Sequence, residues 1–360
     1  MSLWPVNVLL LDDESLSSWL TRVALENGCD PLVMTSVVWP RWRVWTTDID
    51  RGISVERQVA ISLRTGVECD SIQRASISLE AKLFSTTSLP RYGVWPWVLG
   101  LGTRNRSYRG GVQFCPYCIA EDPIPYFRRL WRFSWVTGCM THRVQLLDRC
   151  VKCLKPIEPH RLEAINAVNL SQCSSCGFDL RDSVSRPILD DAMSFQLQAF
   201  AAVRKGSEEV VGQILSTNQW FDVCRHLIVI LRRSNSQPDS ALAKALYKSG
   251  LDTRELPLES LHLQLELLTI TAREPLLACL YKLLNNLDIF ACNLSSQGAQ
   301  ANSLMGRQGS LPPALTFLVE QLGREDRFLG APRKHIFKKP RSDISVIKAW
   351  ARFKRKYRIG

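Results

Sequence analysis

Near the start of the chain, Leu16, Trp19, Leu20, Val23 and Ala24 recur at i, i+3 and i+4. They predict a helix over about residues 14–27 with one buried face, capped by Asp12 or Asp13 and closed by Gly28. Trp39, Trp42 and Trp45, around Pro40, follow no period, so residues 37–45 are expected to be irregular. Ser54 then caps a helix through Thr65, Gly66 supplies a turn, and Asp70 or Ser71 caps a second helix from Ile72. Small or apolar Ile61, Ser62, Val67, Ile72 and Ala75 fall at the crossing, which is helix-turn-helix spacing. In the DNA-reading form, the second helix exposes Ser71, Gln73, Arg74 and Ile77 to the major groove; a plain helical hairpin or a protein-binding version has the same spacing.

Further on the period changes. Trp131, Phe133 and Trp135 alternate as on a strand with one buried face, which places Arg132 on the other; with Arg128 and Arg129 it is a candidate phosphate contact. Packing against a neighbouring metal site is the expected role of the aromatic residues themselves. From about residue 190 to 323 the chain is rich in Leu and Ala at helical spacing, with Leu227, Ile228, Leu231 and Leu261, Leu265, Leu268 marking two helices. Pro238, Pro257, Pro275, Pro312 and Pro313 punctuate this segment, residues 295–310 read as a polar loop, and Cys224, Cys279 and Cys292 read as small core residues. In the tail, Ile344, Ile347, Trp350 and Ala351 predict a short amphipathic basic helix.

The spacing of cysteines adds chemistry. Four ligand pairs of the Cys-x-x-Cys or Cys-x-x-His kind lie within 62 residues. Cys115/Cys118 and Cys139/His142 are separated by 20 residues, and Cys150/Cys153 and Cys173/Cys176 by 19. Each pair places two ligands a metal diameter apart, and both spacings suit zinc ribbons. Two structural zinc ions are therefore expected, paired sequentially, with a cross-brace as the alternative. Saturated coordination leaves no place for activated water, which argues against a zinc hydrolase. The expected fold is mainly α with small β zinc ribbons. Its parts are a helix-turn-helix-containing domain at 1–110, a tandem zinc-ribbon region at 111–185, a helical domain at 186–330 and a basic tail at 331–360.

Charge is uneven. The chain of 360 residues carries a formal +12, and residues 333–358 hold eleven Lys/Arg against one Asp. Lys338, Lys339, Arg341, Arg352, Lys354, Arg355 and Lys356 are the candidate phosphate contacts there; docking of the tail on an acidic protein through Trp350 and Phe353 is the competing reading. The apolar run at residues 8–11 is too short for a membrane span and no basic leader precedes it, so a reducing cytoplasmic setting is expected. No Gly-Lys-Ser/Thr phosphate loop occurs, Gly100-Leu101-Gly102 is too weak to count as one, and no histidine has an evident nucleophile beside it. A non-enzyme is expected.

The residues Glu14-Ser15, Ser18-Trp19, Trp45 through Asp48, Asp50 and Arg51, Phe114 through Cys118, Tyr126 through Arg129, Trp131-Arg132, Cys139 with His142, and Leu146 through Cys150 resemble the TniQ/TnsD family over about residues 3–180. The resemblance implies a target-selection protein of bacterial transposons, active in the cytoplasm and on the nucleoid. Such a protein recruits a TnsC-like AAA+ ATPase to target DNA. It implies recognition either of a CRISPR Cascade-type effector already on DNA or, as in TnsD-like attachment-site selectors, of DNA sequence. Some members form homodimers, with the helix-turn-helix contributing to protein contacts.

Overall fold

A computed structural model describes residues 3–91, 93–101, 112–167, 169–257, 263–305, 311–322, 347 and 350–351. The chain divides into two units, Met1–Leu322 and Gly323–Gly360. In the second, Ile347, Trp350 and Ala351 are helical, as expected for an amphipathic segment, with Ile347 and Trp350 exposed. The remaining predicted tail contacts, Lys338, Lys339, Arg341, Arg352, Lys354, Arg355 and Lys356, lie outside the described residues.

The first unit is predominantly helical. It begins with α1 (Leu16–Glu26), capped by Ser15, whose hydroxyl accepts from the Ser18 amide, rather than by Asp12 or Asp13. Gly28 follows at φ +67°, the left-handed position that ends the helix. The stretch expected to be irregular is partly ordered, because Pro31 sets the first turn of α2 (Pro31–Val38). Next come α3 (Val55–Thr65), stopped by Gly66 at φ +73°, α4 (Cys69–Arg74), which starts earlier than expected after Glu68, and α5 (Ser78–Ala81). Trp19, Leu20, Val23, Ile49, Ile61 and Ile72 form the N-terminal core.

A second and larger core runs from Ile77 to Leu318. After α6 (Pro116–Glu121) it is built by α7 (Asp190–Lys205), the hairpin β1 (Ser207–Val210) and β2 (Gln213–Ser216), α8 (Thr217–Ser236) and α9 (Ala241–Lys248). It is completed by α10 (Ile270–Asn285), α11 (Leu287–Ser296), α12 (Ala301–Leu304) and α13 (Thr316–Glu320). The hairpin register pairs Ser207 with Ser216 and Val210 with Gln213. A capping box of Ser216 and Gln219 starts α8. Pro275 does not punctuate α10; it sits inside the helix, near its start. Leu265–Leu267 form a 3-10 turn rather than part of the expected helix, and Leu261 lies outside the described residues. Cys224 and Cys279 are core residues as expected, but Cys292 is exposed.

The expected strand at 131–135 is absent. Arg129–Arg132 is a 3-10 turn, and every residue from Trp131 to Cys139 is buried, so there is no polar face to alternate with. Phe133 and Trp135 stack at 5.8 Å and join Phe84, Trp97, Phe200 and Phe221 in one aromatic cluster. These rings thereby link the cysteine region to α7 and α8. Within that region, the described residues pair as β only in single bridges, including Phe114 with Leu147, Gly138 with Gln145, Arg149 with Pro156 and Gln172 with Asp179. The stems of the ribbons are too short for longer ladders.

Candidate metal centres

Three of the four ligand pairs share one backbone device. The residue after the second ligand turns into the left-handed region: Arg143 and Leu154 at φ +57° and Gly177 at φ +68°. Its amide donates to the carbonyl of the first ligand, at 3.0 Å for Arg143 to Cys139 and 2.8 Å for Leu154 to Cys150 and Gly177 to Cys173. The first ligand's own amide returns a bond to the carbonyl five residues on, in Val144, Lys155 and Phe178. The chain is folded back so tightly that both ligand atoms point to one side. The first pair differs: Pro116 opens α6 directly after Cys115, and the helical turn brings Cys118 around to the same side.

Two four-ligand groups result, Cys115, Cys118, Cys139 and His142, and Cys150, Cys153, Cys173 and Cys176, with the ligand atoms of each within 4.8 Å of one another. Sequential pairing, not a cross-brace, is what the chain draws together. In the first group, Cys118 Sγ lies 3.4 Å from Cys139 Sγ, and His142 Nδ1 lies 3.4 to 3.5 Å from all three thiols. In the second, Cys150 and Cys176 are 3.7 Å apart and Cys153 and Cys173 3.8 Å. A tetrahedral ion with sulfur at about 2.3 Å and imidazole nitrogen at about 2.0 Å needs edges of about 3.8 Å and about 3.6 Å. Both groups can therefore hold a metal ion without rearrangement.

Their surroundings differ. The thiols of the first group are buried, whereas Cys176 of the second is exposed. Hydrogen bonds from Cys115 and Cys118 hold Cys139 far below the ordinary thiol range, and burial pushes Cys173 up to about 12. Thiols so crowded can lose their protons together only if a cation replaces them. The other ring nitrogen of His142, Nε2, meets Glu121 at 3.0 Å. That bond orients the imidazole with Nδ1 toward the thiols. Glu121 was not anticipated from sequence, although its place three residues after Cys118 on a short helix was a usable signal.

The residues expected to face nucleic acid are not brought together. Arg132 is interior: it pairs with Asp50, bonds Asp48 at 2.8 and 3.1 Å, and donates to the Leu99 carbonyl at 2.9 Å. At 1% exposure it has no access to a phosphate, because the alternation that placed it outside does not exist. Arg128 grips Asp122 with two bonds of 2.8 and 3.0 Å, and Arg129 holds Glu80 at 2.7 Å and the Arg74 carbonyl at 2.5 Å. On α4, Gln73 bonds Gln58 at 2.5 Å, and Arg74 is exposed but bonded to Ser71 at 2.8 Å. Ile77 is fully buried beyond the end of α4, not on its outer face.

Several residues of the sequence pattern act as internal ties. Glu14, fully buried, takes two bonds from Arg22 at 2.6 and 2.8 Å and one from the Ser18 hydroxyl at 2.8 Å. Asp50 accepts from the Ser17 amide at 2.7 Å and hydroxyl at 2.9 Å, joining α1 to the Arg132 turn. Asp148 accepts from the Ile270 amide at 2.9 Å at the start of α10. Arg273 from that helix reaches back to the Ser134 carbonyl at 2.7 Å and Gln113 at 2.8 Å. No described helix is long and apolar enough to cross a membrane.

No curated protein matches the chain. Residues 5–146, which contain the N-terminal core, the Asp48–Asp50–Arg132 tie and the first ligand group, match the TniQ family model. Over these residues the chain is similar to the TniQ family, whose domain marks transposition-associated proteins.

Proposed function

We propose that the chain is a non-enzymatic adaptor in bacterial DNA transposition, linking recognition of a target to recruitment of a TnsC-like AAA+ ATPase and, through it, the transposase. The TniQ domain carries this reading. Both ligand groups are assigned to zinc. Three thiolates with an imidazole, and four thiolates, are the donors a tetrahedral zinc ion takes, and the edge lengths fit without strain. With all four positions filled by protein, each ion holds structure rather than activating water.

Target recognition through a Cascade-type effector on DNA is favoured over base reading by α4. That helix has six residues, and of the groups expected to face bases only Arg74 is exposed. The adaptor reading is tested by co-purifying the full chain with a TnsC-type ATPase on target DNA. Deleting the protein should abolish both transposition and ATPase recruitment; loss of transposition with recruitment intact would overturn it.

A further inference from the structure

Most arginines of the N-terminal region are spent inside the protein: Arg22, Arg51, Arg128, Arg129 and Arg132 each face a carboxylate. Three are not. Arg41 and Arg43 are exposed on either side of Trp42, and among the described residues neither makes an ion pair or a side-chain hydrogen bond. Arg57, from α3, lies over the Trp42 ring at 3.6 Å from its centroid. The neighbouring carboxylate, Glu56, is held below its ordinary pKa chiefly by Ser54 and its own backbone amide, with the charge of Arg57 a smaller influence.

A guanidinium stacked on an indole uses its face and leaves its N–H edges unspent. Arg57 is therefore held in place with its donor fork open. The ring beneath it is itself fixed: Trp42 packs edge-on against Trp39 at 5.3 Å, and the Trp39 indole donates to the Arg57 carbonyl at 3.2 Å. Arg41 has φ +70°, a conformation that costs a side-chain-bearing residue energy and that Gly would adopt freely. Such backbone strain under an exposed arginine marks a place where side-chain position matters.

We infer that Arg41, Arg43 and Arg57, arranged around Trp42, form a surface that binds the phosphate backbone of duplex DNA. Three guanidinium forks without a hydrogen-bonded carboxylate, two on an exposed turn and one held in place on α3, suit phosphate contacts, which carry no base specificity. This inference rests on the proposed action of the protein on DNA but assigns the contact to residues outside α4 and the tail.

The test measures binding of the full chain to a fluorescein-labelled 30-base-pair duplex by anisotropy between 50 and 200 mM NaCl. Each lost phosphate contact lowers the salt slope by about 0.9, so R41Q/R43Q/R57Q should flatten it by about 2.7. Over that fourfold salt range, the wild-type affinity should fall about 40-fold more than that of the triple variant. R41Q/R43Q alters only exposed side chains and should flatten the slope by about 1.8 while melting with the wild type. Unchanged slopes in the variants, with wild-type DNA binding intact, overturn the inference and leave the adaptor reading standing. Loss confined to one duplex sequence also overturns it, as does displacement by polyglutamate at the concentration at which unlabelled DNA displaces. Absence of DNA binding by the wild type overturns it as well, while ATPase recruitment separately decides the adaptor.

Discussion

Replacing Arg132 by methionine removes a buried cation while keeping much of its volume. Asp50, fully buried, would keep only the Ser17 amide and hydroxyl, and Asp48 would keep Arg51 at 3.3 Å. Breaking a buried ion pair from one side costs about 3–5 kcal/mol, because the charge left behind has lost its partner and cannot regain water. At about 2.1 cal/mol/K per residue, the 322 residues of the first unit have an unfolding entropy of about 0.7 kcal/mol/K, so the melting temperature should fall by roughly 4–7 °C at pH 8.

The loss should depend on pH in one direction. Burial raises the Asp50 pKa, and Arg132 is the main influence that pulls it down. Without Arg132 the folded-state value rises further. A carboxyl whose folded pKa exceeds its unfolded one stabilises fully below the unfolded value, about 3.9, and loses that contribution as pH rises through the folded value. The difference between wild type and R132M should therefore be small near pH 4–5 and largest at pH 7–8, and D50N in the R132M background should recover part of it. Calorimetric melts from pH 4.5 to 8 provide the measurement. A shift below about 1 °C at pH 8, or one independent of pH, would show that the Asp48–Asp50–Arg132 tie does not bear on stability as argued.

Elemental analysis of the purified chain should find about two zinc ions, and C118S or C173S about one. Because binding free energy of such an ion, on the order of 10 kcal/mol, is folding free energy, limited proteolysis should cut either variant rapidly; a soluble, protease-resistant, metal-free preparation would refute the assignment. In G138A the new Cβ would sit 2.1 Å from Ile188 Cδ1 and 3.0 Å from Met193, so denaturant unfolding should show a loss of about 1–3 kcal/mol. G177A meets nothing within 4 Å but forces φ +68° on an alanine, so its loss should be about 1 kcal/mol, and G177N should lose less.

Features set by neighbours along the chain were legible in the sequence. The apolar face of α1, Gly28 and Gly66 at their helix ends, and the tight turns that present pairs of ligands depend on contacts a few residues apart. The eight candidate metal ligands follow from their spacing alone, although choosing sequential groups over a cross-brace required the folded chain. Long-range packing decided the rest. Arg132 has the local pattern of a surface residue, yet carboxylates more than 80 positions away draw it inside. Asp148 and Arg273, distant in sequence, acquire meaning only where α10 closes on the cysteine region. Trp42 showed no period because its partner is a guanidinium from another element, and a stacking contact of that kind leaves no trace in local spacing.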